Sequence, residues 1–238
     1  MKYFLNLSIN DLRSTFRDPV FKALLFFPFV SYAIVGWIFP AVIHRWPVIG
    51  DYADVILMWA CMQSSTMFGF IYGFLFLEER EEHITDALQV VPVRLITMIF
   101  ARLLAGMLVS FMVNFVLFHF GGIAHLQVIQ EILLALLYSL SAPLITLLVT
   151  AFAGNRIEGL AQMKIFNILL ILPGLIFFLP YPLLNITAII PTYWSFRATE
   201  MALKGSPLFP VYLAGGLIFH LGLIFFLNRY FDKKLHMG

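Results

Sequence analysis

"FLEEREEHITDALQVVPV", residues 76–93, sets four glutamates, one aspartate and one arginine directly behind a long apolar run. The chain around it is 61% hydrophobic and only 12% charged, with 26 phenylalanines among 238 residues. A water-soluble domain carries about 25% charged residues. Half that density leaves too little polar surface to coat a globule. The solvent for most of the chain is therefore lipid, and the acidic stretch marks a place where the chain leaves it.

Six runs lack Asp, Glu, Lys and Arg: Ala23–His44, Val55–Leu77, Leu103–Gln130, Ile132–Asn155, Ile165–Phe196 and Gly205–Asn228. Each reaches the ~20 apolar residues that a membrane helix needs. The fold class expected is thus an all-α membrane protein of six transmembrane helices, with residues 1–238 as a single domain. An even number of spans puts both termini on one side. Twelve of the fifteen Lys and Arg fall on that side, in the tails and the even-numbered loops. Short basic loops stay in the cytoplasm, so both termini and the acidic stretch are expected there.

Composition excludes several classes. A net charge of +2 gives no electrostatic footprint for nucleic acid. The single Cys61 rules out an internal disulfide or a cysteine-based metal cluster. The six histidines lack metalloprotease spacing, and Asp51 and Asp54 near His44 do not complete a ligand set, so no metal site and no catalytic constellation is expected. Residues 1–17 have no h-region of a cleaved signal peptide.

Two regions depart from plain hairpins. Leu5, Ile9, Leu12 and Phe16 share one helical face, which predicts an amphipathic interfacial helix over residues 1–19, ended by Pro19. The fifth run holds Pro173, Pro180, Pro182 and Pro191. Its crossing is expected near 165–181, followed by a broken, re-entrant outer region over 182–204, with Tyr193 and Trp194 at the membrane boundary.

From Glu78 to Leu95, Ile84, Ala87, Leu88, Val91 and Leu95 fall on one helical face, with Glu78, Glu82, Thr85, Asp86 and Gln89 opposite. A short cytoplasmic helix with one apolar and one acidic side follows. An acidic face is repelled by an anionic leaflet, so it serves either as a docking surface for a basic partner or as a solvated loop. Polar groups inside spans are candidates for a substrate cavity or for interhelical contacts. Gln63, Thr66, Asn114 and Asn167 are these candidates, with Phe70 as an apolar lining residue.

"INDLRSTFRDP" (9–19) before an apolar span, "EEREEHITDALQVVPV" (78–93) after the second, and "GNRIEGLAQMK" (154–164) before a Pro-broken run ending "IIPTYW" (189–194) resemble ABC-2 type transporter permeases. The set is most similar to the fluoroquinolone-export-like permeases. The resemblance implies the transmembrane subunit of an ATP-driven exporter of hydrophobic or amphipathic compounds in a prokaryotic inner membrane. It implies that this chain is not itself an enzyme. A separate ABC ATPase subunit would hold the ATP and Mg, and a second permease copy or paralogue would complete the pore. No G-x-x-x-x-G-K-[ST] occurs in this chain. By the same resemblance, Glu78, Glu79, Arg80, Glu81 and Glu82, with Ile84, Asp86 and Leu88, form the ATPase-coupling element. Asn155, Arg156, Glu158 and Gly159 form a second contact, and Arg13, Arg17 and Asp18 belong to the interfacial helix. Two readings without transport stay open: a membrane scaffold or immunity protein, and a six-span intramembrane enzyme.

Overall fold

The computed structural model describes residues 18–82, 95–122, 126–179 and 182–237, and every regular element among them is helical. The expected interfacial helix with Arg13 and Arg17, and the coupling-helix residues Ile84, Asp86 and Leu88, lie outside the described residues.

Span 1 joins α1 (Pro19–Ala33) to α2 (Phe39–Arg45) through a π-helical turn at Ile34–Ile38. Pro19 opens this helix: it sits in the first turn, where a missing N–H costs nothing. Asp18 is the cap, accepting hydrogen bonds from the Val20 and Phe21 amides at 2.7 and 3.4 Å. Pro40 has no N–H to offer, and its ring crowds the turn ahead. That turn widens, so that the Phe39 N–H reaches back to the Ile34 carbonyl. A 3₁₀ turn, Pro47–Tyr52, leads into span 2, the 29-residue α3 (Ala53–Glu81). Span 3 is α4 (Leu95–Phe120).

Span 4 is two helices, α5 (Val128–Ser139) and α6 (Ser141–Phe152), jointed at Leu140. Pro143 has no N–H to give the Ser139 carbonyl, which explains the joint. Span 5 is α7 (Arg156–Ile171), tightening to a 3₁₀ helix at Leu172–Phe177 beside Pro173. It starts well before the expected residue 165. A charge-free criterion discards Arg156, Glu158 and Lys164, yet all three ride in the opening turns of this helix.

The outer region holds more regular structure than its prolines suggested. Pro182 and Pro191 each begin an element rather than break one: a 3₁₀ helix, Pro182–Ile189, and α8 (Pro191–Leu203). Trp194 on α8 donates to the Ala188 carbonyl at 2.9 Å. Its ring lies against Gly215 of α9 (Phe209–Met237), the sixth span, where a Cβ would sit 2.6 Å from the indole. Glu200 clamps α8 from within, bonding Arg197 and Lys204 at 2.7 Å each.

The six helices are long and apolar enough to cross a membrane. Spans 2 and 4 form the centre, each 78% buried, while the other four are between 17% and 33% buried. The central pair touches through small residues. A Cβ on Gly69 would lie 2.7 Å from the Ala142 carbonyl oxygen, and one on Gly73 would lie 3.0 Å from Val149. Lipid tails are as apolar as leucine, so helices associate in a bilayer by close packing and hydrogen bonds. Gly69-x-x-x-Gly73 supplies the closeness, and the Thr146 hydroxyl donates across it to the Gly69 carbonyl at 3.0 Å. Phe68, Phe70, Phe74 and Phe76 are all buried in the packed interior.

Candidate functional site

The acidic residues at the end of α3 stand where the ends of five spans meet. Glu79 takes a two-pronged ion pair from Arg102 of span 3, both contacts at 2.6 Å. Arg102 is only 3% exposed and also lies over the Phe76 ring at 4.9 Å. Arg80 turns to span 4 and donates to the Thr150 and Ala153 carbonyls at 3.0 and 2.9 Å. These are terminal carbonyls of α6 with no helical partner, so a cation there is doubly favoured.

Arg156, at the start of span 5, is the hub. Its guanidinium reaches Asp18 at 2.6 Å and Glu78 at 3.4 Å, and stacks over Phe21 of span 1 at 5.1 Å. Its backbone N–H donates to Glu81 at 2.9 Å. Burial alone would raise the Asp18 carboxyl, but Arg156 and the Val20 and Phe21 amides hold it below its ordinary 3.8.

Asn155 and Glu158 build the cap that starts α7. The Asn155 side chain accepts from the Glu158 amide at 2.9 Å, and Glu158 returns a bond to the Gly154 amide at 2.6 Å. Gly159 packs where a Cβ would meet the Phe74 ring at 2.7 Å, so its smallness brings span 5 against span 2. Asn155, Arg156, Glu158 and Gly159 thus sit beside Glu78–Glu82 as one corner. Among the acids, Glu78, Glu79 and Glu81 are turned to partners within the chain. Glu82 is exposed, and its side chain makes no bond to any described residue.

The intramembrane candidates do not form one group. Asn114 is fully buried and donates to Ser65 of span 2 at 2.7 Å and to the Ser110 carbonyl at 2.8 Å, while Ser110 donates to Ser65 at 2.9 Å. Thr66 donates to the Gln63 carbonyl at 3.0 Å, one turn away, and Phe70 stacks on Phe74 with ring centres 6.1 Å apart. Asn167 lies half-buried on span 5, its side-chain oxygen without a hydrogen-bond partner. Polar contacts that single residues did not announce hold the opposite end. His119 meets the buried Glu131 at 2.8 Å, and Tyr138 meets Thr199 at 3.1 Å. Only a pairing between the end of span 3 and the start of span 4 could have joined His119 to Glu131, and residue spacing alone does not show it.

A six-span helical bundle with so apolar an exterior is a multi-pass membrane protein. The chain belongs to the family described as fluoroquinolones export permease protein Rv2686c-like, whose model matches residues 11–228. Two relatives, both named fluoroquinolones export permease protein, come from Mycobacterium tuberculosis strains CDC 1551 / Oshkosh and ATCC 25618 / H37Rv. Each is 27% identical over 233 residues, covering 94% of this chain and 92% of the relative. No solved structure matches the chain.

Proposed function

We propose that this chain is the transmembrane subunit of an ABC-2 type exporter. It would move hydrophobic or amphipathic compounds outward, driven by an ATPase made on a separate chain. The family membership supports a permease. The charged corner is the observation that carries the coupling. Five spans are tied at one end, at the point where the chain enters residues 83–94 in sequence, by Arg102–Glu79, Arg80–Thr150/Ala153 and the Arg156 hub.

Force applied to the 78–94 element therefore passes to all five spans as to one body. Glu79–Arg102 carries it to span 3, Arg80 to span 4, and Arg156 to spans 1 and 5. Rigid-body switching of this kind changes which side a cavity between two permease chains opens to. The second permease is a copy of this chain or a paralogue. ATP and Mg bind in the partner ATPase, for which this chain has no phosphate-cradling loop. The excess of Lys and Arg in the tails and even loops supports a cytoplasmic side for the corner and both termini, with the chain in an inner membrane. Glu82 is the acid left over for the partner, and Glu78, Glu79 and Glu81 hold the element that presents it.

The relatives' names make fluoroquinolones the first compounds to try. The test is ATP-dependent uptake into inside-out vesicles containing the chain and its ATPase. Glu82→Lys lowers ATPase co-purification and uptake while the amount of chain in the membrane stays unchanged. Uptake that persists without any ATPase, or unaltered co-purification in Glu82→Lys, contradicts the coupling route.

A further inference from the structure

We infer that the turn after span 1 binds the phosphate of one anionic phospholipid. Arg45 ends α2 and is exposed, with its guanidinium over the Trp46 ring at 5.6 Å and no carboxylate paired to it among the described residues. Asp51 and Asp54, the acids that follow in the chain, leave it unpaired. Among the described arginines, Arg80, Arg102, Arg156 and Arg197 bond carboxylates or carbonyls, and only Arg229, over the Phe225 ring at 5.2 Å, resembles Arg45. Arg45, Trp46, Pro47, Val48 and Ile49 line an open concavity of about 570 Å³.

Its walls are apolar and bare: Trp46 is 55% exposed and Val48 77% exposed. Bare apolar surface next to a free cation matches a molecule with an anionic head and an oily body. The surroundings set the depth. Tyr52 and Phe178 stack at 5.5 Å nearby, both open to the outside. Trp37, also exposed, lies on the order of 12 Å deeper along the same span, at 1.5 Å per residue. Trp46 and Tyr52, at the end of the span, are rings of the kind that mark the headgroup level, and Trp37 lies below it. A guanidinium fork suits two phosphate oxygens at once. With no local carboxylate to neutralise it, Arg45 favours a lipid of net negative charge over a zwitterionic one.

The test uses the full chain purified from nanodiscs holding phosphatidylglycerol and phosphatidylcholine in equal parts, with retained lipid read by native mass spectrometry. The wild-type chain keeps phosphatidylglycerol preferentially. Arg45→Gln loses that preference by about fivefold, the equivalent of one interfacial cation. Arg45→Lys keeps most of it, which separates charge loss from misfolding. Trp46→Ala lowers total lipid retained, and Arg229→Gln changes nothing. Equal retention of the two lipids by the wild type, or an unchanged preference in Arg45→Gln, overturns the inference. Displacement of the lipid by inorganic phosphate also overturns it, by showing a site for the free anion. None of these readouts depends on transport or on an ATPase.

Discussion

The waist of the bundle and its charged corner are held by opposite means. At the waist, spans 2 and 4 meet where side chains are missing. Gly69 and Gly73 let backbones touch, and the polar groups are neutral ones such as Thr146, Ser65, Ser110 and Asn114. At the corner, four arginine-centred contacts tie span ends together through charge. The difference follows depth. A charge at mid-membrane is costly, whereas at a span end it can pair, stay partly hydrated and complement helix termini. Shape specifies the middle of this protein and electrostatics specifies its end.

Breaking the corner has the largest expected effect. Arg102→Ala removes the buried cation from the Glu79 carboxylate, itself 19% exposed, and costs about 3 kcal/mol, the low end for breaking a buried pair. Denaturant unfolding in micelles measures this. Replacing Arg102 and Glu79 together with leucines costs less than Arg102→Ala alone, because the Glu79 carboxylate is then no longer stranded. If the single and double variants are equally destabilised, the pair's geometry does not hold the corner.

The waist is tested next. Gly69→Val forces a side chain into the Ala142 carbonyl and costs roughly 1–3 kcal/mol by overpacking. Gly222→Val, with nothing within 4 Å of its Cβ, is the matched control and stays near neutral. Equal effects at the two glycines would show that the close approach of spans 2 and 4 contributes nothing.

Hydrogen bonds at the waist contribute less. Asn114→Ala lowers stability by about 0.6 kcal/mol, the average for such contacts in membranes. The same unfolding assay reads it, and a loss as large as that of Arg102→Ala would erase the contrast between the regions.

The smallest effect is a pH dependence. The folded Asp18 carboxyl titrates below its ordinary 3.8. Between these two values the unfolded chain binds more protons, so stability falls as pH falls. Above 3.8 the contribution is fully present. Asp18→Asn removes that part of the acid slope, and an identical slope in the variant would mean that the Arg156–Asp18 contact carries no stability.

Much of the fold was legible in the residues. Six charge-free runs gave the number of spans, because a bilayer imposes both length and apolarity on each crossing. Their limits were less legible: Arg156 and Lys164 lie inside span 5, and Pro182 and Pro191 start elements instead of ending them. Resemblance assigned Glu78–Glu82 and Asn155–Gly159 each to an ATPase contact, but neither their meeting at one corner nor their partners was legible. Arg102 lies 23 positions from Glu79, and Arg156 lies 138 from Asp18. Composition cannot say which arginine meets which acid, nor that Arg45 meets none among the described residues.

By itself, the sequence determined that this chain lives in lipid, how often it crosses, and where its charges emerge. Those properties depend on local composition against a fixed hydrocarbon thickness. Tertiary structure decided which spans lie inside. Spans 2 and 4 are both central although span 2 is the least apolar of the six and span 4 the most. In a membrane, apolar surface gains nothing by turning inward, so small residues and hydrogen bonds select the partners. Which helices match in that way emerges only when all six are packed together.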